Sequence, residues 1–232
     1  MECTEQVLTN KELIERLRPF VTEERYKLLE KKLSLRTRYM TMVLDNIHHS
    51  HNASAVVRTC ECMGVQDLHV IENSNRFTIS NDIVHGSSKW IDLHLYRNAT
   101  DNGPVCISAL RQEGYRIVAT TPHGEGVTTL PDFDVTRGKF AIIMGSERKG
   151  VSKSVLDNAD ECLTIPMTGY TESLNISVSA AIIMYTLRER IDQLNMPGEI
   201  PEELHDDIMV RWLIGSIRSG EEVIKRIMEE AE

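Results

Sequence analysis

The chain has 232 residues, of which 41% are hydrophobic and 26% charged, and its formal net charge is −9. This length fits one α/β domain with appendages, and the composition is typical of a soluble globular protein. No apolar run approaches the roughly 20 residues that a membrane-spanning helix needs, and the acidic start of the chain lacks the basic and apolar regions of a signal peptide. We therefore expect a cytoplasmic protein and exclude an integral membrane protein.

The cysteines and a histidine-rich segment are the candidates for metal binding. The five cysteines are odd in number, and their spacing matches neither a zinc framework nor a redox Cys-x-x-Cys pair. His48, His49 and His51 lie close to Asp45 in the sequence, but no second ligand cluster of suitable spacing accompanies them. The sequence therefore predicts reduced thiols and no bound metal.

The pattern of apolar residues predicts helices at both ends of the chain and an alternation of strands and helices between them. Two short helices are predicted before residue 40, because apolar residues repeat at helical spacing on either side of Pro19. The later strands are expected over 42–44, 68–71, 91–95, 117–121, 140–144 and 162–165, and the later helices over 54–63, 79–84, 100–112, 153–159, 174–194, 203–217 and 221–228. Short apolar strands that alternate with helices are typical of an α/β fold with a mainly parallel sheet and helices on both faces.

The same pattern predicts how the chain is organised. The segment Asn195–Gly198 combines Asn, Pro and Gly and should end the alternating region. We find no internal repeat and no low-complexity segment. The expected parts are an N-terminal helical extension over 1–40, a central α/β domain over 41–194 and a C-terminal helical extension over 195–232.

Charge is distributed unevenly between the two ends of the chain. Residues 11–38 contain nine Lys or Arg and five Glu, a balance of +4, whereas residues 199–232 contain ten acidic and four basic residues, a balance of −6. The basic segment, which includes Arg36 and Arg38, is a candidate for contact with a nucleic acid. The alternative is that both segments are solvated helix faces.

Three stretches place polar and glycine residues where apolar strands meet helices. They are His51–Thr59, Met144–Gly150 and Ile165–Val178. In the third, Ser173 and Asn175 lie where the N-terminus of a helix needs side-chain caps. Because two strand-loop-helix edges of this kind can face one ligand, we expect the second and third stretches to line a binding site.

Together and in this order, the three stretches resemble the motifs of the SPOUT superfamily of RNA methyltransferases, most closely its TrmH type. The resemblance implies a SPOUT-type deep trefoil knot near the C-terminal part of the central domain, a rare topology that periodicity does not predict. It also implies S-adenosylmethionine as cofactor and a homodimer with a shared active site. The implied activity is methylation of a ribose 2'-oxygen in structured RNA, most closely the D-loop guanosine of tRNA. Ribosomal RNA as the target and a non-catalytic RNA-binding role are the alternatives.

The resemblance also assigns roles to individual residues. Backbone groups of the loops after the late strands would hold the cofactor, and they correspond to Thr120, Met144, Gly145, Ile165, Met167 and Leu174. The pocket would be shaped, and its arginine or loops supported, by Asn52, Glu147, Ser173 and Asn175. A further matching stretch, Gly86–Trp90, contains Lys89, and we expect Lys89 and Arg76 to contact RNA phosphates, with a plain surface loop as the alternative.

Arg58 is the implied catalytic residue of the first stretch. On the predicted helix, Val56 and Cys60 share one stripe, whereas Arg58 falls with Ser54 on another face. In the family the matching arginine is proposed to accept the proton of the 2'-hydroxyl, but a guanidinium has no free lone pair and a pKa above about 12. We therefore predict that Arg58 orients the substrate phosphate or ribose, and we treat a role as base as a hypothesis. Glu147 would either cap the following turn or pair with a basic residue such as Arg58 across the dimer.

Two other classes of nucleotide-binding protein lack their signatures in this chain. The Gly-x-Gly pattern at Gly124–Gly126 has neither the third glycine nor the following helix of a dinucleotide-binding dehydrogenase. The stretch Gly145–Ser152 resembles a P-loop, but Val151 stands where the phosphate-binding lysine is required. We therefore exclude both classes.

Overall fold

The computed structural model of the protein describes residues 8–230 except 85, 123, 125 and 199. Within these ranges, seven strands form one sheet in which each pair of neighbours is parallel. They are β1 (Met40–Asp45), β2 (Asp67–Ile71), β3 (Asp92–Tyr96), β4 (Arg116–Thr120), β5 (Thr128–Thr129), β6 (Phe140–Met144) and β7 (Glu161–Thr164). Their order across the sheet is β3-β2-β1-β6-β4-β7-β5. The predicted parallel sheet is confirmed, although the short edge strand β5 was not predicted.

Helices precede, connect and follow the strands. Those described are α1 (Asn10–Leu17), α2 (Glu23–Leu33), α3 (Ser50–Cys62), α4 (Asn81–Val84), α5 (Gly103–Gln112), α6 (Lys153–Leu156), α7 (Ile176–Gln193), α8 (Glu202–Ser216) and α9 (Gly220–Glu229). The helix predicted over 153–159 ends earlier, because the Asn158 side chain donates to the carbonyl of Ser154 and the Asp160 N–H already donates to the carbonyl of Ile117 in β4. The helix predicted over 100–112 begins only at Gly103, with a proline in its first turn.

The sheet carries hydrophobic residues on both of its faces. In β1, Met42 and Leu44 pack in a cluster that includes Val56 of α3 and residues of α7, whereas Val43 packs in a second cluster that includes Ile107 of α5. Successive side chains of a strand point to opposite faces, so these clusters lie on opposite sides of the sheet. The predicted α/β fold with helices on both faces is therefore confirmed.

The chain forms two compact units. Residues 37–198 contain the sheet, and the segments on either side of them form a helical unit of α1, α2, α8 and α9. In the helical unit, α1 begins with a capping box in which Thr9 accepts from the N–H of Glu12 and the Glu12 carboxylate accepts from the N–H of Thr9. Its core contains Leu17, Leu33 and Trp212, all fully buried.

The described cysteines and helices bear on three sequence predictions. Cys60, Cys62, Cys106 and Cys162 are free thiols, and Cys3 lies outside the described residues. In the part of the chain that the structure describes, no three His, Cys, Asp or Glu side chains are grouped so as to hold a metal ion. No helix in that part is long and apolar enough to cross a bilayer.

Candidate active site

A cleft of about 560 Å³ opens at the carboxyl ends of β4, β6 and β7. Thr120 and Met144 are the last residues of β4 and β6, and the loop after β7 begins at Ile165. In an open parallel sheet, ligands bind outside the carboxyl ends of the strands. All six residues predicted for the cofactor lie along this cleft: Thr120, Met144, Gly145, Ile165, Met167 and Leu174.

The wall of the cleft is largely apolar. Ile165, Met167 and Leu174 come from the loop after β7, and Ile183 comes from α7. The hydroxyl of Thr120 is not free to donate to a ligand, because it donates to the carbonyl of Ile143 at 2.9 Å. A cleft of this size with apolar walls and a few polar groups suits a small organic ligand that carries both apolar and polar parts.

Three predicted polar residues form one hydrogen-bonded network beside the cleft. The Asn52 side-chain amide donates to the Glu147 carboxylate at 2.7 Å, and the Asn175 amide donates to the side-chain oxygen of Asn52 at 3.1 Å. Glu147 also accepts from the backbone N–H groups of His48 and His49, at 3.2 and 3.4 Å. The network therefore joins the loops after β1, β6 and β7, which are far apart in the sequence.

The charge of Glu147 is satisfied by this network. Partial burial raises the pKa of Glu147, but hydrogen bonds from Asn52 and from backbone N–H groups outweigh burial, so its pKa lies below the ordinary value. Of the two roles left open for Glu147, the structure shows neither: within its own chain the carboxylate fastens the β1–α3 loop. It is ionised at neutral pH, and both of its oxygens accept hydrogen bonds.

The N-terminus of α7 is capped by one of the two predicted residues. The Asn175 side-chain oxygen accepts from the N–H of Ser177 at 2.8 Å, which makes Asn175 the N-cap. Ser173 lines the cleft two residues earlier and lies outside the helix. Asn175 therefore both begins α7 and, through its amide, holds Asn52.

Arg58 lies on the exposed side of α3, as predicted, and donates to the carbonyl of Ile83 at 3.3 Å. Val56 and Cys60 form the buried stripe. Ser54, four residues earlier on the same helical face, is nevertheless fully buried, and its hydroxyl accepts from the N–H of Ser80 at 2.8 Å. Arg58 is not among the described residues that line the cleft of its own chain.

Two of the residues predicted to contact RNA make internal contacts. Arg36 is 5% exposed, and its guanidinium lies over the ring of Trp212 at 5.0 Å. Arg38 lies with its Nε 2.8 Å from Asp67 and donates through Nη2 to Asp92 at 2.9 Å. These contacts leave little of either guanidinium for a phosphate.

The other two residues predicted to contact RNA lie nearer the surface. Arg76 has 74% of its side chain exposed and pairs with the buried Glu72 at 3.4 Å. Lys89 has its ammonium 5.0 Å from the ring of Trp90. A phosphate contact by either residue stays a prediction.

Sequence reasoning missed a buried carboxylate that supports the loop after β6. Asp45, the last residue of β1, is 1% exposed, and its Oδ2 accepts from the N–H of Ser152 at 2.7 Å. Burial raises the pKa of Asp45, and the hydrogen bond from Ser152 opposes this effect. The signal in the sequence was an acid at the end of an otherwise apolar strand.

An α/β sheet with a cleft at its carboxyl edge, lined by residues of two motif stretches, is typical of a protein that binds a small organic ligand. Residues 39–185 match the model of the SpoU rRNA Methylase family. The chain belongs to this family, and the predicted resemblance to TrmH-type RNA methyltransferases is confirmed.

Named relatives agree with this assignment. A tRNA (guanosine(18)-2'-O)-methyltransferase from Borreliella burgdorferi is 44% identical over 196 residues, which cover 84% of this chain and 87% of that protein. An enzyme of the same name from Thermus thermophilus is 31% identical over 194 residues, which cover 83% and 97%. The crystal structure of an Aquifex aeolicus TrmH/SpoU tRNA modifying enzyme superposes with a TM-score of 0.74 at 30% identity, over 85% of this chain and 98% of that one. The chain is an RNA methyltransferase.

Proposed function

We propose that this protein transfers a methyl group from S-adenosylmethionine to the ribose 2'-oxygen of the D-loop guanosine at position 18 of tRNA, the reaction for which its relatives are named. The observation that carries the proposal is the convergence of Asn52, Glu147 and Asn175 beside one cleft. Each comes from a different motif stretch, and the six residues predicted for the cofactor line the same cleft.

The lining of the cleft fits this cofactor. Ile165, Met167 and Leu174 offer apolar surface to an adenosine and to the methylene groups of a methionine. Gly145 lines the cleft at the end of β6, and its lack of a side chain lets the backbone of Gly150 and Val151 pack directly against it. When bound, S-adenosylmethionine supplies a methyl group on a positively charged sulfur, which an oxygen nucleophile can accept.

The chain's own residues position the loops and the substrate. Glu147, Asn52 and Asn175 hold the three loops in one arrangement, so the cleft is shaped before its ligands arrive. Arg58 presents an exposed guanidinium, and we assign it the orientation of the substrate phosphate or ribose. Because Arg58 lies outside the cleft of its own chain, this role requires a second copy that brings its Arg58 to the first copy's cleft.

A homodimer is therefore part of the proposal, and α7 offers a surface for it. Val178, Ile182 and Tyr185 are 45%, 37% and 59% exposed. They are spaced by four and three residues, so they form one apolar stripe on the outer face of the helix. Exposed apolar surface next to a functional cleft is typical of a protein–protein interface.

The proposal includes the trefoil knot and the division of the chain. The late strand β6 lies between β1 and β4, so the chain re-enters the middle of the sheet before it forms the loops of the cleft. This order supports a knot formed by the C-terminal part of residues 41–194, which we propose as the catalytic domain. The helical segments 1–40 and 195–232 extend it, and the proposed setting is the cytoplasm, where tRNA is found.

The proposed reaction is tested by transfer of a labelled methyl group to unmodified tRNA, with the modified nucleotide mapped. A matched tRNA with 2'-deoxyguanosine at position 18 lacks the accepting hydroxyl and should take up no label. Fragments of ribosomal RNA run in parallel. If only ribosomal RNA were labelled, the substrate would be ribosomal RNA and not tRNA. If the deoxy-substituted tRNA were labelled, the methylated position would not be the 2'-oxygen of nucleotide 18.

The shared site is tested by mixing two impaired variants, Arg58→Ala and an Asn52→Ala/Asn175→Ala double variant, and comparing the mixture with each variant alone. If each cleft takes Arg58 from the other copy, mixed dimers contain one intact site, and activity should return to roughly a quarter of the wild-type level. Mixing should restore nothing if every site is built from one chain.

A further inference from the structure

The turn between β6 and α6 carries two adjacent cations into the cleft. Arg148 and Lys149 line the cleft, and both are exposed. They are the cations among its described lining residues, since the other charged residues there are Glu147 and Glu172. Neither Arg148 nor Lys149 belongs to the network that joins the three loops.

The backbone of this turn is tightly defined. The N–H of Ser146 donates to the carbonyl of Gly150 at 3.0 Å, and the N–H of Gly150 donates back to Ser146 at 2.9 Å. A Cβ added to Gly145 would lie 1.9 Å from backbone atoms of Gly150 and Val151, so the two arms of the turn pack directly against each other. Arg148 and Lys149 lie between these two arms, so their side chains project from a well-defined backbone.

The charges of Arg148 and Lys149 are not neutralised within the described chain. Glu147, their neighbour, directs its carboxylate to Asn52 and to the β1–α3 loop. No described carboxylate forms an ion pair with either cation. By contrast, Lys153, in the helix that follows, pairs with Asp157 at 2.7 Å.

Burial along β6 shows where the two cations stand relative to the cofactor pocket. Met144, at the base of the cleft, is 4% exposed, whereas residues 147–150 are all exposed. The cations are therefore at the mouth of the cleft. A ribose within an RNA chain has a phosphodiester on each side, so a ribose that enters the mouth brings phosphates to the level of Arg148 and Lys149.

We propose that Arg148 and Lys149 form an anion site at the mouth of the cleft that binds RNA phosphodiesters flanking the reacting ribose. The proposal rests on the proposed function and extends it to two residues that were not among those predicted to contact RNA. A protein of net charge −9 gains little long-range attraction for RNA, so cations at the site of entry have a large share in capturing the substrate. Arg148 also offers the planar fork that matches a phosphate.

The test measures the affinity of the full chain for unmodified tRNA over a series of salt concentrations. The Arg148→Ala/Lys149→Ala double variant should bind tRNA roughly tenfold more weakly at low salt, and the slope of log K against log salt should fall by about 1 to 2. Its dissociation constant for S-adenosylmethionine, measured by calorimetry, should stay within about twofold of the wild type.

Two control variants separate phosphate contact from general charge. Lys225→Ala removes an exposed cation that pairs with Glu229 in α9 and should leave the salt slope unchanged. An Arg148→Lys/Lys149→Arg exchange keeps both charges and should keep most of the slope. Weaker cofactor binding by the double alanine variant would overturn the proposal, because the anion would then be the cofactor's carboxylate. An unchanged slope would overturn it as well, whereas failure of the wild type to methylate tRNA would instead refute the proposed function.

Discussion

The two ends of the sheet use charged residues in opposite ways. At the amino ends of β2 and β3, Arg38 contacts both Asp67 and Asp92, and His94 lies 2.8 Å from the same Asp67. At the carboxyl ends, Arg148 and Lys149 lie at the mouth of the cleft, and neither forms an ion pair with a described carboxylate. Arg38 thus has a structural role at one end of the sheet, whereas Arg148 and Lys149 are available to a ligand at the other.

The charged cluster at the amino ends also changes the protonation of its histidines. Burial, with the nearby charge of His94, lowers the pKa of His69 to about 4, so His69 is neutral at physiological pH. The hydrogen bond to Asp67 raises the pKa of His94. The two rings stack with centroids 4.5 Å apart, and their opposite shifts keep the stacked pair from carrying two charges. The charged side chains of this cluster therefore contact one another and are not available to a substrate.

The largest effect should come from Arg58, which belongs to neither end of the sheet. Arg58→Ala should lower kcat about a thousandfold, or ~4 kcal/mol, because the reacting ribose is no longer oriented. Calorimetry should give an almost unchanged affinity for S-adenosylmethionine, and Arg58→Lys should recover only part of the rate. Loss of cofactor binding in Arg58→Ala would show that orientation of substrate and binding of cofactor are not separate.

The next largest effect tests the structural role of the amino-end cluster. Arg38→Ala removes the guanidinium that Asp67 and Asp92 share, and we expect the free energy of unfolding to fall by about 3 kcal/mol in a denaturant titration. Lys153→Ala removes an exposed cation from an i,i+4 pair and should cost less than about 0.5 kcal/mol. Equal losses in the two variants would contradict the distinction between the two ends.

The network beside the cleft should respond more modestly. Asn52→Ala removes the link between Glu147 and Asn175, and kcat/KM should fall about tenfold, equivalent to ~1.4 kcal/mol. Asn52→Asp should be worse than Asn52→Ala, because it places a second carboxylate against Glu147. The reverse order, measured in the same methyl-transfer assay, would mean that the Asn52–Glu147 contact does not position the loops.

The smallest effect is a pH dependence of stability. A raised pKa in the folded state means that His94 stabilises the fold fully below its unfolded pKa of 6.5, and that this contribution is lost as pH rises through the raised value. The melting temperature of His94→Gln should therefore lie below that of the wild type at pH 6 and converge with it by pH 9. A gap between the two proteins that widens with pH would have the wrong sign for a His94–Asp67 pair.

The sequence predicted those features that depend on local patterns. Strands buried on both faces, such as Phe140–Met144, appear as short apolar runs, and glycines and caps mark the loops that follow them. The three motif stretches therefore led to Asn52, Glu147 and Asn175, and to the residues that line the cleft. The hydrogen bonds that Asn52 makes with Glu147 and Asn175 were not predicted, because each joins residues about a hundred positions apart in the sequence.

The features that escaped prediction depend on contacts that are distant in the sequence. Arg38 was assigned to RNA because its neighbours are basic, yet its partner Asp92 lies 54 residues away. Ser54 shares a helical face with Arg58 but is covered by the segment that contains Ser80. The pair β5–β7 is only two residues long, which is too short for a period-of-two pattern to appear.

The helical unit built from both ends of the chain has a consequence for synthesis on the ribosome. The apolar side chains of α1 and α2, among them Leu17 and Leu33, are buried in a core that also contains Trp212 of α8. At roughly 5–20 residues per second, about 10 to 35 seconds pass between the emergence of α2 and that of α8. For that time the apolar side chains of α1 and α2 have no α8 to pack against, so this part of the helical unit can reach its final packing only late in synthesis.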